Sequence, residues 1–207
     1  SLKPGLSPDW IWPFYWHAPY VTGTCAPAAA PTATGAASAF APGDKDELKA
    51  ALAAWDADTC APCAATYGAV GTWDVTAVTD FSFLLLGLSS FDEDPSGWDT
   101  SSVTNLRRIF SSPSFFPYSG TSSFFNQPLA FDTRKVTNME GAFSYAAFNR
   151  PLPFDTSSVT DMSYTFNHAS TFNQLLALDT SRVIELAAML YYATAFNQAL
   201  DFDTSSV

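Results

Sequence analysis

The stretch FNQPLAFDTRKVTNMEGAFSYA, residues 125–146, decides the fold because the chain repeats it. The pattern returns from Phe148, from Phe172 and, in part, from Phe196. Its template is F-N-Q-x-L-x-F-D-T-S-x-V-T-x-M-x-x-x-F-x-x-A. Self-similarity at a period of about 20–50 residues is typical of repeat architectures. The sequence therefore predicts a solenoid in which each coil packs on the next.

The Asp of the D-T-S step marks the phase of each repeat, and it gives the repeats their numbers. Repeats 1 to 6 have Asp74, Asp99, Asp132, Asp155, Asp179 and Asp203. The intervals are 25, 33, 23, 24 and 24 residues, and the long one predicts an insertion near 114–122. The repeated region spans 73–207 with about five and a half repeats. We expect the native chain to continue beyond Val207, because an open half-coil exposes strand edges.

Seven apolar positions keep their class from repeat to repeat and predict a shared core. In repeat 3 they are Phe125, Leu129, Phe131, Val136, Met139, Phe143 and Ala146. Burying one large side chain contributes about 1.5–3 kcal/mol, whereas ordering a residue costs about 1–2 kcal/mol. One coil cannot fold alone, but stacked coils bury both faces of each apolar layer. Equivalent side chains should form two interior files: Phe143, Phe166 and Leu190, and Met139, Met162 and Leu186.

Spacing within a repeat predicts short strands and one helical turn. The alternating runs 128–131 and 136–139 suit strands on different sides of the coil. Met139, Phe143 and Ala146 lie at i, i+4 and i+7, which suits a turn of α- or 3₁₀-helix. The predicted fold class is therefore a repeat solenoid, leucine-rich-repeat-like or a β-solenoid, with coils of about 24 residues.

The polar positions predict corners of the coil. An Asp side chain can accept a hydrogen bond from the backbone N–H two residues on, so the Asp row predicts Asx-turns. A calcium site is the alternative, but calcium needs about six to eight converging oxygens. A ladder of amides is expected from Asn126, Asn149, Asn173 and Asn197.

Threonines also recur and allow a second interpretation, an ice- or glycan-binding array. One file holds Thr100, Thr133, Thr156, Thr180 and Thr204, and the other holds Thr104, Thr137 and Thr160. Packing of β-branched side chains at corners explains the same residues, and Ile184 interrupts the second file.

The quoted elements resemble a known repeat. F-N-Q-P-L at 125–129, D-T-S-S-V-T-D-M at 155–162 and the terminal F-x-x-A are similar to the BspA-like leucine-rich repeat of surface proteins, over about 73–207. The resemblance implies a secreted or cell-surface protein of a bacterium or unicellular eukaryote, with a role in adhesion. It assigns no catalytic residue.

Residues 1–43 form a Pro- and Ala-rich arm and linker with a run of aromatic side chains. Those singled out are Trp10, Trp12, Phe14, Trp16 and Tyr20. In an extended segment they would cover the first coil, anchor a partner protein, or contact a membrane interface. The insertion carries Phe115, Phe116 and Tyr118, which suit either a flap over the core or a partner contact.

Residues 44–72 are predicted to cap the stack. Asp44 and Glu47 form a capping box, and Leu48, Leu52 and Trp55 follow at helical spacing. These features predict an amphipathic helix of about 44–57 over the first coil. The resemblance agrees, because such a helix, followed by the Y-G-x-x-x-x-W-D run that ends at Asp74, often precedes these repeats.

The three cysteines are Cys25, Cys60 and Cys63. A redox-active pair would need a βαβ context, and zinc would need a fourth ligand, for which His17 is a candidate that nothing in the sequence places beside the cysteines. The sequence favours a structural disulfide, between Cys25 and one of the pair or within the pair, as expected in an oxidising compartment.

Charge and motifs narrow the function. The net charge of −11 predicts no nucleic-acid partner, and no apolar run is long enough for a transmembrane span. No catalytic motif occurs, and His17 and His168 stand alone, so we expect no enzyme, cofactor or metal. Three hypotheses remain: an adhesion or protein-interaction solenoid of a secreted or cell-surface protein; a structural subunit of a larger membrane or organellar assembly, anchored through the aromatic N-terminal arm; and the threonine array. An organelle lumen is the alternative location.

Overall fold

The computed structural model describes residues 39–57, 66–88, 90–112 and 124–207. All of them belong to one unit of the chain, Ala33–Val207. Within these ranges the regular elements are an α-helix, α1 (Lys45–Asp56), and a 3₁₀ helix (Val70–Thr72). The same ranges contain no sheet, and consecutive repeats are joined by isolated parallel bridges that run from Asp80 through Asn105, Asn138 and Asp161 to Glu185. The predicted fold class, a solenoid with short strands and helical turns, is therefore wrong.

Backbone hydrogen bonding in the segment from Met139 to Ala146 explains why neither a strand nor a helix forms. Alternate N–H groups donate in different directions. Four of them donate to carbonyl oxygens of repeat 4 over 2.8–2.9 Å: Met139, Gly141, Phe143 and Tyr145. The N–H groups between them donate to carbonyl oxygens three residues back in their own repeat: Ala142, Ser144 and Ala146. The segment is therefore a series of tight turns bonded sideways to the next repeat, and we call it the turn segment.

The order of side chains in the core confirms the predicted register. The rings of Phe143 and Phe166 stack with their centroids 5.4 Å apart. Met139 and Met162, which belong to the second predicted file, are both buried in the core. Leu186 and Leu190 of repeat 5 are partly buried and pack against the same core. Equivalent side chains therefore superpose from repeat to repeat, although the backbone around them is not the one that was predicted.

The corner residues behave as the Asx-turn interpretation predicts. The carboxylate of Asp155 accepts from the N–H of Ser157 at 3.0 Å, and the same bond recurs at the other five aspartates of the row. At Asp132 hydrogen bonds from the Arg134 side chain, including Nε to Oδ1 at 2.9 Å, lower the pKa of the carboxyl to about 2. Each carboxylate is thus used by its own corner.

The amide ladder is also present. Each asparagine side chain accepts from the backbone N–H of the asparagine in the next repeat, with distances of 2.9 Å onto Asn126, 3.0 Å onto Asn149 and 2.8 Å onto Asn173. Asp92 takes the same role in repeat 2 and accepts from the N–H of Asn126 at 2.8 Å. Side chains therefore join the repeats along this edge.

Four of the five members of the first threonine file are buried, whereas Thr204 is exposed. Thr133, Thr156 and Thr180 are at most 2 % exposed, and each Oγ1 donates to the carbonyl oxygen of the aspartate in the next repeat at 2.9 Å. Thr100 is equally buried. The hydroxyls of these four threonines are buried and cannot meet an external surface, so the hypothesis of an ice- or glycan-binding threonine array is wrong for them.

Helix α1 starts where the sequence predicts. The side chain of Asp44 accepts from the N–H of Glu47 at 2.9 Å, and the Glu47 carboxylate accepts from the N–H of Gly43 at 2.8 Å. The first bond satisfies one of the N–H groups that a helix start leaves without partners, and the second joins the Glu47 side chain to the residue before the N-cap.

The helix covers repeat 1. Its buried face holds Leu48 and Leu52, which are fully buried in the common core. Lys45 Nζ donates to Asp80 Oδ2 at 2.9 Å, and Lys49 Nζ donates to the carbonyl oxygen of Phe83 at 2.8 Å. Both acceptors belong to the turn segment of repeat 1, so apolar packing and two lysines hold α1 on this end of the stack.

The buried threonine bond gives a first prediction. We expect Thr156→Val to lower the free energy of unfolding by about 0.5–1.5 kcal/mol, because the buried Thr156 hydroxyl no longer donates to the carbonyl oxygen of Asp179. Thr160→Val is the matched control at an exposed site. It should change the free energy of unfolding by less than about 0.5 kcal/mol. Urea denaturation measures both, and equal effects would contradict the assignment.

Candidate functional site: an aromatic groove on the turn segments

The site residues predicted from the sequence lie outside the described residues. These are the arm residues Trp10, Trp12, Phe14, Trp16 and Tyr20, the insertion residues Phe115, Phe116 and Tyr118, and the cysteines Cys25, Cys60 and Cys63. No structural statement about a disulfide or an aromatic anchor follows for them. The candidate site described below was not predicted.

Two positions of the turn segment have a left-handed backbone, both of them in repeats 1, 3, 4 and 5 and the first alone in repeat 2. At the first position φ is 51–60°, in Phe83, Arg108, Gly141, Tyr164 and Ala188. At the second φ is 55–89°, in Gly87, Tyr145, His168 and Tyr192. This conformation costs a residue with a side chain about 1–2 kcal/mol. Glycine occupies it freely, so large aromatic residues at these positions indicate a role other than stability.

The second left-handed position builds a row of rings. The imidazole of His168 lies parallel to the ring of Tyr145, with centroids 4.5 Å apart, and to the ring of Tyr192, with centroids 4.9 Å apart. Tyr191 meets the imidazole edge-on at 5.6 Å. His168 Nδ1 lies 2.8 Å from Asn167 Oδ1. An amide oxygen only accepts hydrogen bonds, so Nδ1 donates, and the neutral ring keeps Nε2 as an acceptor.

A groove of about 480 Å³ runs beside this row across the turn segments of repeats 2 to 5. Its lining comprises Arg108, Ser111, Ser112, Ser144, Tyr145, Tyr164, Asn167, His168, Ala188 and Tyr191. Two tyrosines of the lining are well exposed, Tyr164 at 43 % and Tyr191 at 55 %. Tyr192, which follows Tyr191 in the chain, is 59 % exposed. The groove is thus an open channel with aromatic walls.

The polar part of the lining comes from one position of the repeat. Ser111, Ser144 and Asn167 occupy the same position in three consecutive repeats, and all three are buried at 2–7 % exposure. They contribute hydroxyl and amide groups to the lining of the groove.

Arg108 is tied to an acid beneath the groove. Its Nη2 lies 3.3 Å from Glu140 Oε1, and Arg107 bonds the same carboxylate. Burial raises the pKa of Glu140, but hydrogen bonds and charges from both arginines outweigh burial and leave the pKa lowered. The carboxylate therefore stays ionised and offsets positive charge at this wall.

A signal for the ring row is present in the sequence. The residue before the terminal Ala of F-x-x-A is Tyr145 in repeat 3, His168 in repeat 4 and Tyr192 in repeat 5. The helical interpretation of the spacing did not reveal this row, because in a helix this position has the same backbone conformation as its neighbours. The row becomes visible only when the segment is read as four-residue turns.

The described ranges contain neither a cluster of metal ligands nor a membrane-spanning helix. No three His, Cys, Asp or Glu side chains there come together as a metal site. No helix among those residues has the length and apolar character needed to cross a bilayer.

The sequence matches the family described as Mycoplasma protein of unknown function, DUF285, over residues 57–152 and 117–207. Together the matches span well over half of the chain. The chain belongs to this family. No curated protein matches the chain, and no solved structure does. DUF285 membership is consistent with a surface protein in general, and BspA-like repeats are related to DUF285. The family description assigns no function to the groove.

The left-handed positions give a second prediction. Gly141→Ala should destabilise the protein by about 1–2 kcal/mol, because φ is +60° and the new Cβ would lie 3.1 Å from Arg108 Cγ. Ala188→Gly, at the equivalent position of repeat 5, should stabilise it by up to about 1 kcal/mol. Thermal and urea unfolding measure both. If both variants shift stability in the same direction, backbone conformation does not decide these positions.

Proposed function

We propose that the protein is a non-enzymatic binding protein of the cell surface or extracellular space, and that it contacts its ligand or partner protein through the aromatic groove. This is the interaction role that a BspA-like repeat implies. The observation that carries the proposal is the placement of exposed tyrosines on strained backbone.

Tyr164 and Tyr192 are the key examples. Both have φ of 57°, where glycine costs less, and both expose more than two fifths of their surface. Neither the backbone conformation, which favours glycine, nor burial of the ring explains why tyrosine occupies these two positions. Tyrosine combines a large apolar face with a hydroxyl, which is why it is enriched at binding interfaces.

The family and the charge of the chain support a surface location. The DUF285 match is consistent with a surface protein in general. A net charge of −11 favours solubility at high local concentration. An organelle lumen is the alternative compartment, and the acidic composition fits it equally.

The test compares one triple variant and one double variant of the full chain. Tyr164→Gly, Tyr191→Ser and Tyr192→Gly together remove the exposed rings, and glycine suits the left-handed positions. The control, Leu175→Ser with Ile184→Ser, removes exposed apolar side chains that do not line the groove. Binding is measured by surface plasmon resonance on a panel of immobilised extracellular proteins and oligosaccharides.

We expect the wild type and the control to bind at least one panel member. The affinity of the groove variant for that member should be at least about tenfold lower. The bound partner should be recovered chemically unchanged. Equal binding by the groove variant, failure of the wild type to bind any member, or turnover of the partner would each contradict the proposal.

A further inference from the structure

We propose that the groove takes a neutral, linear saccharide that lies along the stack, with one sugar ring for each repeat it crosses. This inference rests on the proposed function, because it names the ligand class of the same groove. It is carried by the length, spacing, chemistry and charge of the lining.

The dimensions of the groove fit a short oligosaccharide. Its volume of about 480 Å³ lies in the range of about 300–1,000 Å³ that is typical of small-molecule sites. The lining comes from repeats 2 to 5, which are three steps of about 4.8 Å apart, or about 14 Å in all. A ligand of three or four linked sugar rings spans that length.

The repeat step sets the spacing of the contacts. Ring centroids along the row from Tyr145 through His168 to Tyr192 are 4.5 and 4.9 Å apart. One pyranose ring in an extended chain advances by about the same distance. An extended peptide returns to the same face only every second residue, after about 6.6–6.8 Å. A polyproline helix does so every third residue, after about 9 Å. Of these three ligands, the sugar chain is the one whose repeat distance matches the spacing of the protein repeats.

The chemistry of the lining suits a ligand that is apolar on one face and hydroxylated at its edge. Within the described residues Tyr164 has no stacking partner, so its ring face is available for sugar C–H groups. The side chains of Ser144 and Asn167 line the floor beside it. The imidazole of His168 adds an acceptor at Nε2, since Nδ1 is bonded to Asn167.

The charge of the site favours a neutral ligand. Arg108, the cation that lines the groove, shares the ionised carboxylate of Glu140 with Arg107. The chain as a whole carries a net charge of −11, which repels acidic polymers. An uncharged sugar avoids this repulsion and needs no counter-charge in the groove.

Isothermal titration calorimetry of the full chain with a length series tests the proposal. The probes are cello-, manno- and chito-oligosaccharides of one to six rings, with oligogalacturonate as the charged comparison and a proline-rich peptide as the peptide comparison. We expect at least one neutral series to bind, with affinity rising ring by ring up to three or four rings and then levelling. Tyr164→Gly should weaken binding about tenfold or more, whereas Tyr164→Phe keeps the ring and should stay within about threefold of the wild type.

A readout on the wild type makes the test independent of variant folding. The ring signals of Tyr145 and Tyr164 should shift in NMR spectra on adding the tetrasaccharide, and those of the buried Trp73 should not. The proposal is overturned if no neutral series binds, if the charged oligomer or the peptide binds more tightly, or if affinity does not depend on length. If the sugars fail while a protein from the surface plasmon resonance panel still needs the groove tyrosines, the saccharide is wrong and the proposed function stands. If the groove tyrosines affect no binding, both are wrong.

Discussion

Alternating backbone hydrogen bonds in the turn segment are the constraint on which the rest of the structure depends. From Met139 to Ala146, every second N–H group bonds within the repeat, and those between them bond to the next repeat. A single repeat would therefore leave about half of these donors without partners, and a buried donor without a partner costs about 1–3 kcal/mol. The backbone, as much as the apolar core, requires repeats to fold together.

The same constraint creates the site. Turns that repeat within four residues need a left-handed residue at two fixed positions, such as Gly141 and Tyr145. The side chains at those positions point away from the core file that contains Phe143, and stacking of the repeats aligns them in rows. A ring placed at the second position in three consecutive repeats becomes a continuous row without any further structural device. The groove is thus a product of repeat geometry, with its chemistry set by single residues.

Much of the fold could be predicted from the sequence, and the failures have physical causes. The register of Phe143 on Phe166, the Asx-turns and the asparagine ladder follow from side chains that recur at a fixed period. The helical turn was wrong because i, i+4 and i+7 spacing is shared by an α-helix and by four-residue turns. Residue types gave little indication of the left-handed backbone, since tyrosine, as at Tyr145 and Tyr192, is not a residue that usually adopts φ near +60°.

The strand prediction failed for a different reason. Alternation in the run 128–131 reports that one face is buried, but it does not report which groups join neighbouring repeats. Proline lacks an N–H group and stands at Pro128 and Pro151. Asparagine side chains make the connection there instead, as from Asn149 to Asn126. The groove was missed because it depends on the left-handed backbone, and the aromatic arm, the insertion and the cysteines lie outside the described residues.

The bridge between Asn105 and Asn138 has a consequence for how this chain tolerates change. These residues are 33 positions apart, whereas the other bridges join residues 25, 23 and 24 positions apart. All four are nevertheless parallel bridges between equivalent positions of the repeat. Extra chain between repeats 2 and 3 therefore does not disturb their alignment. Closing a longer loop costs only about 0.6 kcal/mol for each doubling of its length. This junction is consequently a natural place to graft a foreign peptide, a label or a whole domain, with the stack serving as a rigid support for display.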